Sequence, residues 1–307
     1  MEYFPLISVI VFSYNSEEYI LSTLESIKTQ TYPGPVELII GDDCSKDNSI
    51  EICRRWVDEN KEKFTRVEII SHTENKGVVE NYNSCLKKSQ GEWIKGIAAD
   101  DVLMPDALQI LYTTAINNGA DFVQSGLLTF FKDEELNSPE NLTYLSPGKR
   151  EGLVTLKDVM QKPNFWMNAP SFFMRRESIL QIGYIPTLFR NIEDRPLFCK
   201  FLASGYKIYR LATPTVYYRQ HPQSLSSTKG DSKFGECNWI TYKEILRPCF
   251  TIPAAIDIDL RLLPGLYLGL TKKKNLKYRF IRLCCQLAWL IWRGGTFWIT
   301  SWKYKKQ

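Results

Sequence analysis

The chain has 307 residues, 44% hydrophobic and 13% aromatic, without a long low-complexity tract. Such a composition excludes wholesale disorder and is long enough for one large domain with an appendage. The net charge of +5 hides an asymmetry: Asp259 is the last acidic residue, and from Leu260 onward there are 11 Lys and Arg. Residues 1–259 therefore hold 28 basic against 34 acidic residues, a net of −6. An acidic body excludes nucleic acid as the main partner, because a phosphate backbone needs a basic groove.

Leu6 to Ser13 is a β-branched apolar run of the kind that fills a strand buried on both faces. A helix is predicted next, capped by Asn15 with Glu18 three residues on, carrying Ile20, Leu24 and Ile27 at helical spacing and stopped at Tyr32 to Pro35. The cycle repeats. Val36 to Gly41 predicts a second strand and Asp47 to Glu62 a helix; Val67 to Ser71 predicts a third strand and Val78 to Ser89 a helix ending at Gly91; Trp93 to Ala98 predicts a fourth strand, with a helix opened by Pro105. Alternation of this kind predicts βαβ units and a Rossmann-like, mostly parallel sheet flanked by helices.

Past Phe131 the rhythm fails, and the polar stretch Lys132 to Arg150 predicts a loop or lid. Helices near Leu156 to Gln161 and Pro196 to Ala203 flank Met167 to Met174, and Lys207 to Arg219 returns to strand character. The organisation predicted is a nucleotide-sugar-binding half over residues 1–131, an acceptor-binding part of the same domain over 132–230, and a basic, aromatic, helical tail over 231–307. Eight scattered cysteines without a C-x-x-C pair read as reduced core residues, and the start lacks the pattern of a secretory signal, which predicts a cytosolic protein.

In an open parallel sheet, ligands bind outside the carboxyl ends of the strands. There the sequence places Ser13, Tyr14 and Asn15, then Asp42 and Asp43, then Asn75, Lys76 and Gly77, then Asp100 and Asp101. Carboxylates gathered at one rim repel unless a divalent cation or ligand donors neutralise them, and oxygen ligands favour Mg2+ or Mn2+. No G-x-G-x-x-G, no G-x-x-x-x-G-K-[ST] and no G-x-S-x-G occurs, which removes the main support for dinucleotide oxidoreductases, P-loop NTPases and serine hydrolases.

The opening SVIVFSYNSEEYILSTLESIKTQTYP, then ELIIGDDCSKDNS, NKGVVENYNSCLKKSQGEW and AADDVLMPDAL together resemble the inverting family 2 glycosyltransferases of the GT-A fold, over about residues 5 to 227. By that resemblance Tyr14 and Asp42 or Asp43 would hold base and ribose, Lys76 would approach the nucleotide, and Asp100 would be the metal-linked aspartate. The family's usual D-x-D has its first aspartate where this chain has Ala98, leaving Asp100 and Asp101. Asn191 to Leu197 is similar to the family's acidic pair before a helix, which makes Asp194 the candidate base, with Glu193 beside it at the acceptor. Tyr218 to Ser226 resembles the closing segment whose histidine, here His221, reaches metal or pyrophosphate.

The implied reaction moves a sugar from a nucleoside diphosphate donor, a UDP-sugar favoured, to a hydroxyl of a saccharide or lipid-linked saccharide in cell-surface or capsular polysaccharide synthesis. Met167 to Phe173 would line the sugar pocket, with Asn168 or Ser171 reading a hydroxyl. Lys272 to Gln307 combines six Lys and Arg up to Arg282, a mainly apolar stretch from Leu283 to Trp292 and four tryptophans. This is too short for a span of about 20 residues and suits a helix lying on the inner face of the cytoplasmic membrane, the alternative being a helix that packs on the domain or on a dimer partner. Two other readings share the sheet. A sugar nucleotidyltransferase would need a basic glycine-rich loop where Ser13 to Tyr19 has none, and a catalytically silent nucleotide-sugar-binding module would account for Ala98.

Overall fold

The computed structural model describes residues 3–145, 151–161 and 167–222, and beyond them 237–238, 240–249, 259, 283–285 and 288. The chain divides into two compact units, Met1–Ser224 and Leu225–Gln307. The first is a mixed α/β unit on a ten-stranded sheet. Its parallel half sets β3 (Arg66–Ser71), β2 (Val36–Asp42), β1 (Ile7–Ser13) and β4 (Trp93–Ala98) side by side. Ile7, Val9, Ile10 and Val11 of β1 are fully buried, as a run sandwiched between two helical layers must be. Crossovers are made by α1 (Ile20–Lys28), α2 (Ser49–Asn60) and α3 (Val78–Lys88). Ile20, Leu24 and Ile27 form the buried stripe of α1, and the Trp56 indole of α2 donates to Glu25 at 2.6 Å.

Beyond β4 the sheet departs from the parallel pattern. After β5 (Val102–Leu103) and α4 (Ala107–Asn117) come β6 (Phe122–Phe130), β7 (Thr143–Leu145), β8 (Gly152–Val154) and α5 (Leu156–Gln161). Then β9 (Phe172–Arg175) inserts antiparallel between β4 and β6, followed by α6 (Arg176–Ile182), α7 (Asp194–Ala203) and β10 (Ile208–Arg219), which pairs parallel with β6. The insertion is cemented by Trp93 stacked on Phe173 at 5.0 Å, with the Arg175 guanidinium over the indole. The polar stretch predicted as a loop contains two 3-10 turns, Asp133–Asn137 and Pro139–Asn141, before β7.

Asn15 does not cap α1. The helix begins five residues later, behind Tyr19, and Asn15 adopts the left-handed conformation (φ 50°) with its side chain turned to the next loop. In the second unit the described residues include a π-helical turn, Tyr242–Leu246, and a 3-10 turn, Arg247–Cys249. Most of the predicted basic, aromatic tail, including its four tryptophans, lies outside the described residues. Among the described residues no helix is long and apolar enough to cross a membrane.

Candidate active site at the carboxyl ends of the strands

Register fixes the rim. Ser13 pairs with Asp42 and Phe12 with Ala98, so the loops after β1, β2 and β4 leave the sheet together. The first two are laced to each other: the Asn15 amide donates to Ser45 Oγ at 2.9 Å, Lys46 N to Asn15 Oδ1 at 2.8 Å, and Ser16 N to Ser49 Oγ at 2.7 Å. Two left-handed residues, Asn15 and Cys44, let the loops fold back. Tyr14 stands 49% exposed beside them, an aromatic face open to a ligand.

Asp42 and Asp43 are both buried, and they do different work. The Asp42 carboxylate accepts the amide and hydroxyl of Ser45, which shapes its own loop. Asp43 crosses to the next one, accepting Lys76 N at 2.7 Å and Gly77 N at 2.8 Å. Lys76 is thereby held at the mouth with its side chain exposed. Ser13 is buried, its hydroxyl without a partner among the described residues.

The turn that Asp43 holds also receives the segment that precedes the acidic pair. Arg190 donates from Nη2 to both the backbone and side-chain oxygens of Asn75, its carbonyl accepts Val79 N at 3.2 Å, and Asn191 Oδ1 accepts Val78 N at 3.3 Å. Gly77 (φ +90°) makes this docking possible, since a β-carbon there would lie 2.7 Å from the Arg190 carbonyl oxygen and 2.8 Å from Asn191 Oδ1. Below it, Asn83 exchanges two 3.0 Å bonds with the backbone of Ile185. The segment leads directly into α7, at whose N-terminus Glu193 and Asp194 are half-buried.

Burial raises both carboxyls. That of Glu193 is pushed up to about 8 by burial and then by the Asp194 charge, while in Asp194 a 2.6 Å bond from the Arg195 amide partly offsets the rise. Glu193 also lies within electrostatic reach of the buried Tyr82 hydroxyl, which packs against Gly96 of β4.

The last aspartates separate. Asp100 is partly exposed, and its Oδ2 lies 3.0 Å from His221 Nε2, whose ring packs on Tyr19 at 4.8 Å between centroids. Asp101, predicted at the rim with it, is fully buried and accepts Arg219 N at 3.0 Å. Burial and the Asp100 charge push its carboxyl well above the usual range, so it is an interior structural group rather than a ligand contact. Ser171 needs the same correction: it is fully buried, its hydroxyl spent at 2.6 Å on the Asn168 carbonyl. Asn168 keeps partial exposure in that turn.

Two basic residues of this region escaped the sequence reading. Arg219, 3% exposed, donates to the Asp100 carbonyl and Ser22, pairs with Asp133 of the first 3-10 turn, and lies over the rings of Tyr19 and Phe130. Lys95 is fully buried in β4, with its ammonium on the carbonyls of Gly96, Pro170 and Phe172; burial lowers its pKa to about 7 against the pull of Asp101. A lysine inside an apolar strand was the available signal. Among the described residues no three His, Cys, Asp or Glu gather as a metal site; Asp100 and His221 converge as a pair.

A parallel sheet with crossover helices and carboxylates gathered at its strand ends has the form of an α/β ligand-binding protein, its ligand seated outside the carboxyl ends of the strands. The chain belongs to glycosyl transferase family 2, whose model matches residues 8–183. It is 28% identical over 79% of its length to 89% of TuaG from Bacillus subtilis, a provisionally assigned teichuronic acid biosynthesis glycosyltransferase. It is 26% identical over 73% of its length to 81% of WfaP from Escherichia coli, a UDP-Glc:alpha-D-GlcNAc-diphosphoundecaprenol beta-1,3-glucosyltransferase. Among solved structures, S. aureus TarS 1-349 in complex with UDP-GlcNAc superposes with a TM-score of 0.67 at 20% identity, covering 93% of this chain and 81% of that one. The mannosyltransferase PcManGT from Pyrobaculum calidifontis, in complex with GDP-Man and Mn2+, does so with a TM-score of 0.56 at 18% identity, covering 97% and 89%. These likenesses establish the GT-A architecture of the fold.

Proposed function

We propose that the protein transfers a sugar, with inversion, from a nucleoside diphosphate sugar to a hydroxyl of a saccharide or lipid-linked saccharide in the synthesis of a cell-surface polysaccharide or glycolipid. The observation that supports this reading is the docking of the Arg190–Asn191 segment, which leads into the acidic pair Glu193 and Asp194, on the turn held by Asp43. Tyr14 and the Asp42–Asp43 loop take the base and ribose, with Asn15, Asn75 and Lys76 closing on the nucleotide. A UDP-sugar is favoured by the UDP-Glc named for WfaP and the UDP-GlcNAc bound to TarS, and the diphosphoundecaprenol in the WfaP name favours a lipid-linked acceptor.

The chemical step is a single displacement. An acceptor hydroxyl is a poor nucleophile at neutral pH, so Asp194 takes its proton as the oxygen bonds to the anomeric carbon, and the nucleoside diphosphate departs with the electron pair of the broken bond. A carboxyl raised by burial is better matched to that task than one in water. Glu193 and Asn168 orient the acceptor. Asp100 and His221 fit a divalent cation, Mg2+ or Mn2+, as two converging side chains with oxygen and nitrogen donors; such an ion would supply positive charge to the leaving diphosphate. The basic tail would seat the enzyme on anionic lipid beside its acceptor. Replacement of Asp194 by Asn, read as turnover against nucleotide binding, tests the assignment.

A further inference from the structure

The contact between Arg190 and the donor loop is stronger than its setting requires. Arg190 is an exposed side chain, yet among the described residues its guanidinium is held by no carboxylate. Both of its bonds, 2.5 Å each, converge from one nitrogen on a single residue, Asn75. A surface arginine held only for charge would seek an acid and gain little. One aimed at the main chain and side chain of a neighbouring turn fixes an orientation.

The same turn is fixed from its other side by Asp43 through Lys76 N and Gly77 N, and it receives two further bonds at Val78 N and Val79 N from residues 191 and 190. The turn is therefore shared, with the Asp43 carboxylate on one side and the approach to α7 on the other. Four residues after Arg190 comes Asp194.

We propose that Arg190 is a positioning residue that ties the Asp194 carboxylate to the donor loop, so that the turn at Asn75–Val79 sets the distance between the base and the bound nucleotide sugar. The inference rests on the reading of Asp194 as base and of the Asp43–Lys76 loop as donor site. Arg190 touches neither reacting atom, and its effect is geometric: a misplacement of about 1 Å can cost on the order of a hundredfold in rate.

The test uses the full-length protein, calorimetric titration with UDP to count competent sites, and release of UDP from a panel of UDP-sugars with saccharide acceptors present, or with water as the acceptor in their place, turnover being expressed per UDP-binding site. Arg190→Ala is expected to lower turnover per site about 10- to 100-fold while the UDP dissociation constant rises by a clearly smaller factor, because Asp43 still holds the turn at Lys76 N and Gly77 N. Arg190→Lys, which keeps a cationic donor but lacks the planar guanidinium, is expected to recover only part of the loss. Should Arg190→Ala fold poorly, Asn191→Ala, which removes only the bond to Val78, carries the same expectation at smaller size. A merely structural role would lower the melting temperature and the number of UDP-binding sites and leave turnover per site unchanged, and that result overturns the proposal. Asp194→Asn is run in parallel: if it turns over at the native rate, the base assignment fails, whereas loss of turnover in Asp194→Asn with none in Arg190→Ala refutes the positioning role alone.

Discussion

Asp43 offers the sharpest perturbation, because a single carboxylate closes the link between two loops of the rim. It is 3% exposed and its two oxygens each accept one backbone N–H, from Lys76 at 2.7 Å and Gly77 at 2.8 Å. Asp43→Asn keeps the shape but presents an NH2 to one of these donors. One charge-assisted bond worth about 1.5–3 kcal/mol disappears, and a buried N–H left without a partner costs about 1–3 kcal/mol more. These overlap, so about 3 kcal/mol in total is expected, which for a chain of this size lowers the melting temperature by about 6–12 °C at about 2–4 °C per kcal/mol. Circular dichroism melts of native, Asp43→Asn and Asp42→Asn proteins measure it. The Asp42 change should cost less, since its carboxylate serves only Ser45 within its own loop. An Asp43→Asn melt within about 1 °C of native would refute the reasoning, because the hydrogen bonds assigned to it would then contribute almost nothing.

The pH profile follows from the raised carboxyls. Asp194 must be ionised to take a proton, so turnover should fall as pH drops through a midpoint above the usual aspartate range, and a profile still flat in that range would remove Asp194 as base. For stability the sign is opposite: a carboxyl whose folded value is raised, as Glu193 is to about 8, contributes stability below the usual glutamate range that is lost as pH rises through about 8. Deleting residues 272–307 should release the protein from sedimenting vesicles that contain anionic lipid, and unchanged sedimentation would remove the tail from membrane binding.

The parallel half of the fold was legible because β1, β2 and β4 are almost wholly buried runs between helices of regular spacing; Trp93 to Ala98 was bounded to the residue. The second half was harder for a physical reason. β9 is four residues long and buried by stacking on Trp93, and no periodicity can show in so short a run. At the site, strand-end carboxylates could be collected from sequence, but not sorted. Asp100 and Asp101 are adjacent and chemically identical, and only the tertiary placement of Arg219 decides which of them turns inward. Ser171 failed likewise, since a hydroxyl beside aromatics reads as a ligand contact until its own turn claims it. Arg190 carried no signal at all, because its partner Asn75 lies 115 residues away in sequence.

The central claim is that Asp194 is the base of a transfer whose donor sits on the Asp43 side of the rim. Its most direct measurement is the rate of UDP release from a UDP-sugar by Asp194→Asn, set beside the UDP dissociation constant of the same sample. The expected rate is at least about a hundredfold lower, with the dissociation constant within about twofold of native. A variant that binds UDP normally and still turns over at the native rate would contradict it.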